Sequence, residues 1–269
     1  MKGTDKCKIV ENVRIASNMY KMAFISSYIA LNAHPGQFVH IKVPYDNSLL
    51  LRRPISIHDV HPQTGRVEIA YQVVGKGTRI LSRMNAGQII DVLGPLGKGF
   101  TISREIKSAI VIGGGCGVAP LKFLVRCLKE GGGAVTALLG FRNREAVYEL
   151  DEFERFSDQL FITTDDGSLG SKGLVTQALE KELRKHLPDV MFACGPVPML
   201  KVVQRLAKEY SVPCQISLEE RMGCGIGGCL VCSCAIRTSD GDFEYKRVCQ
   251  DGPVFWSQEV LLDEAALEC

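Results

Sequence analysis

The sequence has no long hydrophobic run and no excess of charge of one sign. No stretch reaches the ~18 consecutive apolar residues that a membrane-spanning helix needs, so we expect no membrane association. Lysine and arginine number 32 and aspartate and glutamate 30, which leaves a net charge of +2. Because a protein that coats nucleic acid normally carries a clear basic excess, nucleic acid is not an expected partner.

The N-terminal segment also lacks the apolar core of a secretory signal, so we expect a cytoplasmic protein. Against these absences, the 269 residues contain eleven cysteines. Disulfides are rare in the reducing cytoplasm, where clustered cysteines more often bind metal or carry out redox chemistry. The composition therefore indicates a metal site.

Four cysteines near the C-terminus have a characteristic spacing. They read C-x4-C-x2-C, followed by a fourth cysteine after sixteen residues: Cys224, Cys229, Cys232 and Cys249. This is the plant-type spacing for a 2Fe-2S cluster held by four thiolates. The glycine-rich spacer lets the backbone wrap closely around a cluster and direct N–H groups at its sulfurs. A zinc ribbon is the alternative, although it normally pairs two CxxC knuckles and this segment has one.

The remaining cysteines and the histidines carry no metal-binding pattern. Cys234 lies beside the four ligands but outside their spacing, so we assign it no role. The scattered cysteines are expected to be small buried hydrophobic residues: Cys7, Cys116, Cys127, Cys194, Cys214 and Cys269. The five histidines are expected to be structural or solvated: His34, His40, His58, His61 and His186.

The hydrophobic pattern divides the chain into three parts. Residues 1–100 alternate apolar and polar side chains between Pro/Gly turns, which predicts a small antiparallel β-barrel. Residues 101–213 alternate strands and helices, which predicts a doubly wound parallel α/β sheet. Residues 214–269 hold the cysteine cluster, with short strands at 231–237 and 243–247. We expect three domains with these boundaries.

Two glycine-rich turns follow strands of the predicted α/β sheet. Their residues are Gly113, Gly114, Gly115 and Gly117 in the first turn, and Cys194, Gly195 and Pro196 in the second. Bare N–H groups at such turns can bind a pyrophosphate, and open α/β sheets bind ligands at the carboxyl ends of their strands. The first turn departs from the G-x-G-x-x-G pattern, and the usual acidic residue after the second strand is missing. A tight strand-to-helix connection without a ligand is therefore the alternative.

The predicted barrel contains two segments suited to a phosphate and a polar ring. Arg53-Pro54-Ile55-Ser56 interrupts an apolar strand with a cation and a hydroxyl, and Gly77-Thr78 supplies N–H groups at the start of a helix. An exposed edge strand and an ordinary capped helix are the alternatives.

The order of these motifs resembles the ferredoxin reductase superfamily. The runs 217–229 and 245–255 are most similar to electron-transfer subunits of type B dihydroorotate dehydrogenases, and the resemblance covers essentially the whole chain. It implies a 2Fe-2S cluster on the four cysteines and NAD at the two glycine turns. It also implies FAD at Arg53, Pro54, Ile55, Ser56, Ala70, Tyr71, Gln72, Gly77 and Thr78. One departure is Cys116, where an aliphatic residue is expected.

The resemblance further implies a function and a partner. Dihydroorotate would be oxidised at the FMN of a separate catalytic subunit in a heterotetramer of two plus two chains. Electrons would then pass through the cluster and FAD to NAD, in pyrimidine (UMP) biosynthesis. No catalytic acid or base is expected in this chain, because the cofactors carry the chemistry.

Three questions stay open at this level. The chain could be the small subunit of an NAD(P)H–ferredoxin or sulfide oxidoreductase, although the cluster loop of those relatives has a different run of residues. It could also be a zinc-stabilised interaction module without catalysis. The preference for NAD over NADP rests on the resemblance, since Arg142 and Arg144 after the second sheet strand could favour a 2′-phosphate.

Overall fold

The N-terminal part of the chain forms a closed antiparallel barrel. The computed structural model describes residues 4–44 and 48–262, so Cys269 lies outside the described residues. The barrel strands, in the order β1-β2-β5-β4-β3-β6, are β1 (Thr4–Ala16), β2 (Met19–Ile25), β3 (Phe38–Lys42), β4 (Arg53–His61), β5 (Arg66–Gln72) and β6 (Ile89–Leu96). Two short helices accompany them, α1 (Ser27–Asn32) and α2 (Lys76–Leu81). Inward-facing side chains alternate with more exposed ones, as along β6, and the predicted barrel is confirmed.

The rest of the chain is built around a seven-stranded sheet. Its order is β10-β9-β8-β7-β11-β12-β15, with β7 (Ser108–Gly114), β8 (Ala134–Phe141), β9 (Gln159–Thr164), β10 (Ser171–Lys172), β11 (Val190–Cys194), β12 (Cys214–Ser217) and β15 (Val254–Trp256). The helices are α3 (Leu121–Glu130), α4 (Leu150–Phe156), α5 (Val175–Leu183) and α6 (Val197–Glu209). A separate hairpin joins β13 (Ser233–Arg237) to β14 (Phe243–Arg247).

Helices cover both faces of this sheet. Ile110 and Ile112 of β7 lie in one core with residues of α5 and α6. Val111, which points the other way, lies in a second core with residues of α3 and α4. The doubly wound arrangement predicted from the sequence is therefore confirmed. None of the helices within the described residues has both the length and the apolar character to cross a membrane.

The sheet is not wholly parallel, and it reaches beyond residue 213. β12 pairs in parallel with β11, but β15 pairs with β12 in the antiparallel direction. Both β12 and β15 come from the range 214–269. The C-terminal segment also touches the barrel, because the Lys98 N–H donates to the Gly252 carbonyl at 2.5 Å. The Leu218 N–H donates to the carbonyl of Pro253, the residue after Gly252, at 2.9 Å. One short segment therefore joins the end of the barrel to the edge of the sheet.

A buried group of charges joins the barrel to the α/β layers. Lys122 of α3 places its Nζ 3.4 Å from a carboxylate oxygen of Glu68 on β5. The same ammonium lies 3.1 Å from Glu149, which precedes α4. Lys21 of β2 lies 2.8 Å from the other oxygen of Glu149. These ion pairs connect strands of the barrel to helix α3, so the two parts of the chain are held in a fixed relation.

Candidate cofactor sites

The structure brings the four predicted cluster ligands together. The Cys224 N–H donates to the sulfur of Cys229 at 3.4 Å, and the Cys249 N–H donates to the sulfur of Cys232 at 3.4 Å. The N–H groups of Ile226 and Gly228 both donate to the sulfur of Cys224, at 3.5 and 3.2 Å. Thiols surrounded by backbone N–H groups form the donor set of a cluster held by thiolates. The residues present therefore fit an iron–sulfur cluster.

The thiols of this group differ in how readily they ionise. Partial burial acts to raise the pKa of Cys224, but the surrounding N–H groups and the Cys229 thiol lower it to about 6. Burial and then the adjacent Cys232 raise the pKa of Cys249 to about 12. Cys229 is exposed, whereas Cys232 and Cys249 are buried. The ligand set thus has one side open to solvent and one side inside the protein.

Glycine is required in the ligand loop because the surrounding side chains approach it closely. Gly225 and Gly227 have φ values of +72° and +87°, in the left-handed region that side chains disfavour. A Cβ at Gly225 would collide with the ring of His40, and a Cβ at Gly227 would collide with Gln250. Arg247 fixes the loop from the other side by donating to the Gly227 carbonyl at 2.9 Å.

The fourth ligand lies in a turn that Arg247 also stabilises. The Arg247 backbone N–H and its Nε donate to the same carboxylate oxygen of Asp251, at 2.9 and 3.2 Å. Cys234 is buried on β13, and Cys232 lies just before that strand, which begins two residues later than predicted. Cys234 takes no part in these contacts with the ligand loop.

The two predicted flavin segments of the barrel meet at one point. The guanidinium of Arg53 lies against the start of α2, where a Cβ added to Gly77 would come within 2.6 Å of its Nε. The hydroxyl of Thr78 accepts the N–H groups of Val74 and Gly75, at 3.1 and 3.2 Å, which fixes the turn before the helix. Ser56 is partly exposed on the same strand as Arg53. A cation, a hydroxyl and a glycine turn therefore share one side of the barrel.

The three predicted flavin residues on β5 do not face the same way. Tyr71 points into the barrel core, and its hydroxyl donates to the side-chain oxygen of Asn12 at 3.1 Å. Ala70 faces the α/β domain instead, and Gln72 is exposed. A ligand on this strand would therefore meet Tyr71 through its backbone. The sequence could not show this, because the residue type alone does not fix which face of a strand is buried.

The two glycine turns of the sheet lie side by side. β7 and β11 are neighbours, with Gly113 opposite Cys194 at their carboxyl ends. The first turn is a short 3₁₀ segment that contains Gly115 and Gly117, and a Cβ on Gly117 would come within 2.5 Å of the Cys194 carbonyl oxygen. A Cβ on Gly195 would likewise meet the backbone N of Gly114 at 3.1 Å. Glycine is therefore what allows the two turns to approach.

The structure adds Glu219 to this edge of the sheet. Glu219 follows β12, which lies next to β11. Its negative charge helps to raise the pKa values of both Cys116 and Cys194. Glu219 is exposed, but the surrounding protein removes part of the water around its carboxylate. This partial desolvation raises the pKa of Glu219 above its usual range. Burial is the first cause of the raised pKa of Cys116, which reaches about 11. Sequence reasoning missed Glu219 as a site residue, although its position directly after a strand was a usable signal.

The remaining cysteines and histidines divide between core and surface. Cys7 and Cys214 are buried and Cys127 is partly buried, in line with the hydrophobic interpretation. His40 and His58 are fully buried, whereas His34 and His186 are not.

One acidic group with a histidine has the proximity of metal ligands. Side-chain atoms of Asp59, His61 and Glu68 lie within 4.8 Å of one another. Cations already neutralise the two acids, since Arg126 lies 2.6 Å from Asp59 and Lys122 lies 3.4 Å from Glu68. We therefore assign this trio to the ionic group that joins the barrel to the α/β layers.

Comparison with known proteins first defines the class. The chain matches three family models: an oxidoreductase FAD-binding domain over residues 6–100, an oxidoreductase NAD-binding domain over 111–205, and the iron-sulfur cluster binding domain of dihydroorotate dehydrogenase B over 219–261. A solved NADH-dependent reduced ferredoxin-NADP oxidoreductase covers 98% of this chain and 92% of its own, at 36% identity and a TM-score of 0.86. The ferredoxin reductase in carbazole 1,9a-dioxygenase shares the fold, with 20% identity and a TM-score of 0.67. The chain is thus an oxidoreductase of the ferredoxin reductase fold with FAD-, NAD- and iron–sulfur-binding domains.

Curated relatives then define the family. A dihydroorotate dehydrogenase B (NAD(+)) electron transfer subunit from Caldanaerobacter subterraneus subsp. tengcongensis is 42% identical, over 95% of this chain and 98% of its own length. The subunit of the same name from Bacillus velezensis is also 42% identical, over 94% of this chain and 97% of its own. The chain belongs to the family of dihydroorotate dehydrogenase B (NAD(+)) electron transfer subunits.

Proposed function

We propose that this chain carries electrons from the oxidation of dihydroorotate to NAD, in pyrimidine (UMP) biosynthesis. Electrons enter from the FMN of a partner catalytic subunit and pass through a 2Fe-2S cluster and FAD. A flavin can exchange single electrons with a cluster and a hydride with nicotinamide, which is the chemistry that FAD supplies when bound. The observation that carries the proposal is the contact between the cluster loop and the barrel, where Gly225 meets His40 beside the flavin segment.

The cluster is assigned to Cys224, Cys229, Cys232 and Cys249. Support comes from the four N–H groups directed at sulfurs of this set. Such donors stabilise negative charge on thiolates and on the cluster that they hold. Cys234 is left out, because it lies outside the C-x4-C-x2-C spacing and none of these four N–H groups is directed at its sulfur.

FAD is assigned to the side of the barrel where Arg53 meets α2. Arg53 would bind a phosphate, Ser56 would donate to a polar ring edge, and Gly77 would supply close backbone approach. The remaining assigned residues flank these groups on β4, β5 and the start of α2: Pro54, Ile55, Ala70, Tyr71, Gln72 and Thr78.

NAD is assigned to the paired glycine turns. Gly113, Gly114, Gly115 and Gly117 would offer backbone N–H groups to the pyrophosphate, with Cys194, Gly195 and Pro196 forming the second wall. NAD is favoured over NADP through the family, and comparing the rates with the two nucleotides tests that preference. Arg142 and Arg144, both exposed, are the cations that a 2′-phosphate would meet.

The partner subunit is assigned to the open side of the ligand loop. Cys229 is exposed there, and its neighbours Ile226, Leu230 and Val231 are 51%, 64% and 58% exposed. Contiguous exposed apolar residues mark interaction surfaces, and an exposed ligand shortens the distance to a donor cofactor.

The proposal also covers the assembly, the domains and the location of the protein. The partner is an FMN-containing catalytic subunit, and the complex is a heterotetramer of two plus two chains. The domains of this chain are 1–100, 101–213 and 214–269, and its location is cytoplasmic.

Reconstitution with the partner tests the function. The chain is co-expressed with a candidate FMN-containing dihydroorotate-oxidising subunit, and dihydroorotate-dependent NAD reduction is followed. The complex should show flavin and 2Fe-2S absorption bands and turn over. Cys229→Ser should abolish that turnover, while Cys234→Ser should retain the bands and at least half of the rate.

Three results would contradict the proposal. A colourless, zinc-containing protein would support the interaction module. Transfer of electrons to ferredoxin but not from dihydroorotate would support the alternative oxidoreductase. A complex that holds all cofactors but does not reduce NAD would exclude the proposed path.

A further inference from the structure

His40 lies between the strand of the flavin segment and the cluster loop. It belongs to β3, and its backbone pairs with Pro54 of the Arg53–Ser56 segment. Arg52 donates from Nη1 to the His40 carbonyl at 3.3 Å. The residue is 0% exposed. Its backbone is therefore fixed by the strand that carries the proposed flavin residues.

The ring of His40 faces the cluster loop. The ring edge formed by Nδ1 and Cε1 lies where a Cβ of Gly225 would project, and Gly225 follows the ligand Cys224 directly. The backbone of Cys224 is also close enough to act on the imidazole. One side chain of the barrel thus contacts the part of the loop that carries the first ligand.

Neither ring nitrogen of His40 makes a well-formed hydrogen bond among the residues that the structure describes, although the backbones of Cys224 and Arg52 both lie near the imidazole. Leaving a buried polar group unpaired destabilises the folded chain. A leucine could fill the same space without that cost, so simple packing does not account for an imidazole here. The unpaired nitrogen beside Gly225 instead indicates a partner that belongs to the loaded protein.

We propose that His40 is a positioning residue for the cluster. Its ring holds the Cys224–Gly225 turn against the flavin strand, and its N–H donates a hydrogen bond to the sulfur shell on the Cys224 side. This inference rests on the proposed 2Fe-2S cluster at the four cysteines. Hydrogen bonds to cluster sulfurs stabilise the reduced, more negative state and so raise the reduction potential.

Redox titration of the intact chain, followed by the electron paramagnetic resonance of the reduced cluster, tests the inference. His40→Leu removes the donor, whereas His40→Asn retains an N–H near the position of Nδ1. We expect His40→Leu to lower the equilibrium constant for cluster reduction about tenfold, which is 59 mV for a one-electron couple. His40→Asn should stay within about threefold of the unsubstituted chain, since a hydrogen-bond donor is kept.

His58→Gln is the matched control. His58 is equally buried in the barrel, but its Nδ1 lies 2.6 Å from the Ala119 carbonyl, at the contact with the α/β domain. Its replacement should lower thermal stability without changing the cluster potential. If all three variants leave the potential unchanged while the cluster signal persists, the role of His40 is excluded and the proposed function stands. If the unsubstituted chain holds no 2Fe-2S cluster, the proposed function fails, and this inference fails with it.

A double-mutant cycle covers the case in which His40→Leu does not retain the cluster. Gly225→Ala should reduce iron content for two reasons: its Cβ would collide with the imidazole, and a side chain is strained at the left-handed φ of +72°. In His40→Ala the collision is absent and only the backbone strain remains, so adding Gly225→Ala should reduce iron content less than it does in the unsubstituted chain. Such coupling is expected for groups in direct contact. Equal losses in the two backgrounds would overturn the inference.

Discussion

The strongest stability prediction concerns Lys122 in the ionic group between the barrel and α3. Its ammonium lies within 4.0 Å of four carboxylates, from Asp59, Glu68, Glu149 and Glu152. The side chain is 7% exposed, and the first three of those acids are buried to a similar degree. Lys122→Met keeps the length and the apolar stem of the side chain, so it isolates the charge.

The expected cost follows from burial. Removing one partner of a buried ion pair costs about 3–5 kcal/mol, because the other charge is left uncompensated. The lower end applies here, since Arg66 still pairs with Glu68 at 2.9 Å and Lys21 with Glu149 at 2.8 Å. At about 2–4 °C per kcal/mol for a chain of this size, the melting temperature should fall by about 6–12 °C.

Lys129→Met on the same helix is the control. Lys129 pairs with Asp158 at 2.5 Å, but the two side chains are 39% and 44% exposed. Exposed pairs contribute at most about 1 kcal/mol, so this variant should lose no more than about 4 °C. The melting temperatures of both variants and of the unsubstituted protein, each loaded with its cofactors, are measured by circular dichroism. Equal losses in the two variants would refute the reasoning from burial.

The pH dependence gives the same prediction a second check. Burial acts to raise the pKa of Glu68, but Lys122 and then Arg66 lower it from 4.5 to about 2. A carboxylate with a depressed pKa contributes stability that is complete above the unfolded value and is lost as pH falls through the folded value. The stability gap between the unsubstituted protein and Lys122→Met should therefore be complete at pH 7 and shrink between pH 4.5 and about 2. A gap that is constant over this range would contradict the assignment.

Three further predictions concern the cofactor sites. Gly117→Ala places a Cβ within 2.5 Å of the Cys194 carbonyl, so the KM for NADH in dye reduction should rise at least about tenfold while FAD and iron content stay unchanged. Gly77→Ala crowds the Arg53 guanidinium, with a Cβ 2.6 Å from Nε, and should weaken FAD retention about tenfold on gel filtration. The glycine control is Gly131→Ala at the end of α3, where the φ of −73° suits alanine. Arg247→Ala removes the donor to the Gly227 carbonyl, so the visible absorption bands of the cluster should bleach several-fold faster in air. Arg237→Ala, on the same hairpin, is the control and should bleach at the rate of the unsubstituted chain.

The grouping of the four cysteines and the pairing of the two glycine turns were predictable because their signals are local or follow from topology. Three of the four cysteines lie in one short loop, and their spacing reflects the size of the group that they surround. The turns at Gly113 and Cys194 end parallel strands, and parallel strands of one sheet bring their carboxyl ends to one edge. Neither inference needs knowledge of how the domains pack.

The contact between His40 and Gly225 could not be predicted, because it depends on packing between distant parts of the chain. An imidazole in an apolar strand has the same sequence pattern whether it is a core residue or faces another site. The same limit applies to β15, a strand of three residues that is too short to show a period. Its antiparallel pairing with β12 is fixed by contacts of the preceding residues with the barrel and with Leu218.

These contacts make the cluster segment dependent on both of the other parts of the chain. Gly252 accepts from the barrel at Lys98, Pro253 accepts from Leu218 after β12, and Gly225 rests on His40 of β3. The ligand loop is therefore held from three directions, and Cys229 is the most exposed of its four cysteines. A segment fixed in this way positions its cluster against the barrel with little freedom, as electron transfer between fixed cofactors requires. In the proposed function, the exposed Cys229 is then the ligand that a partner's cofactor would approach.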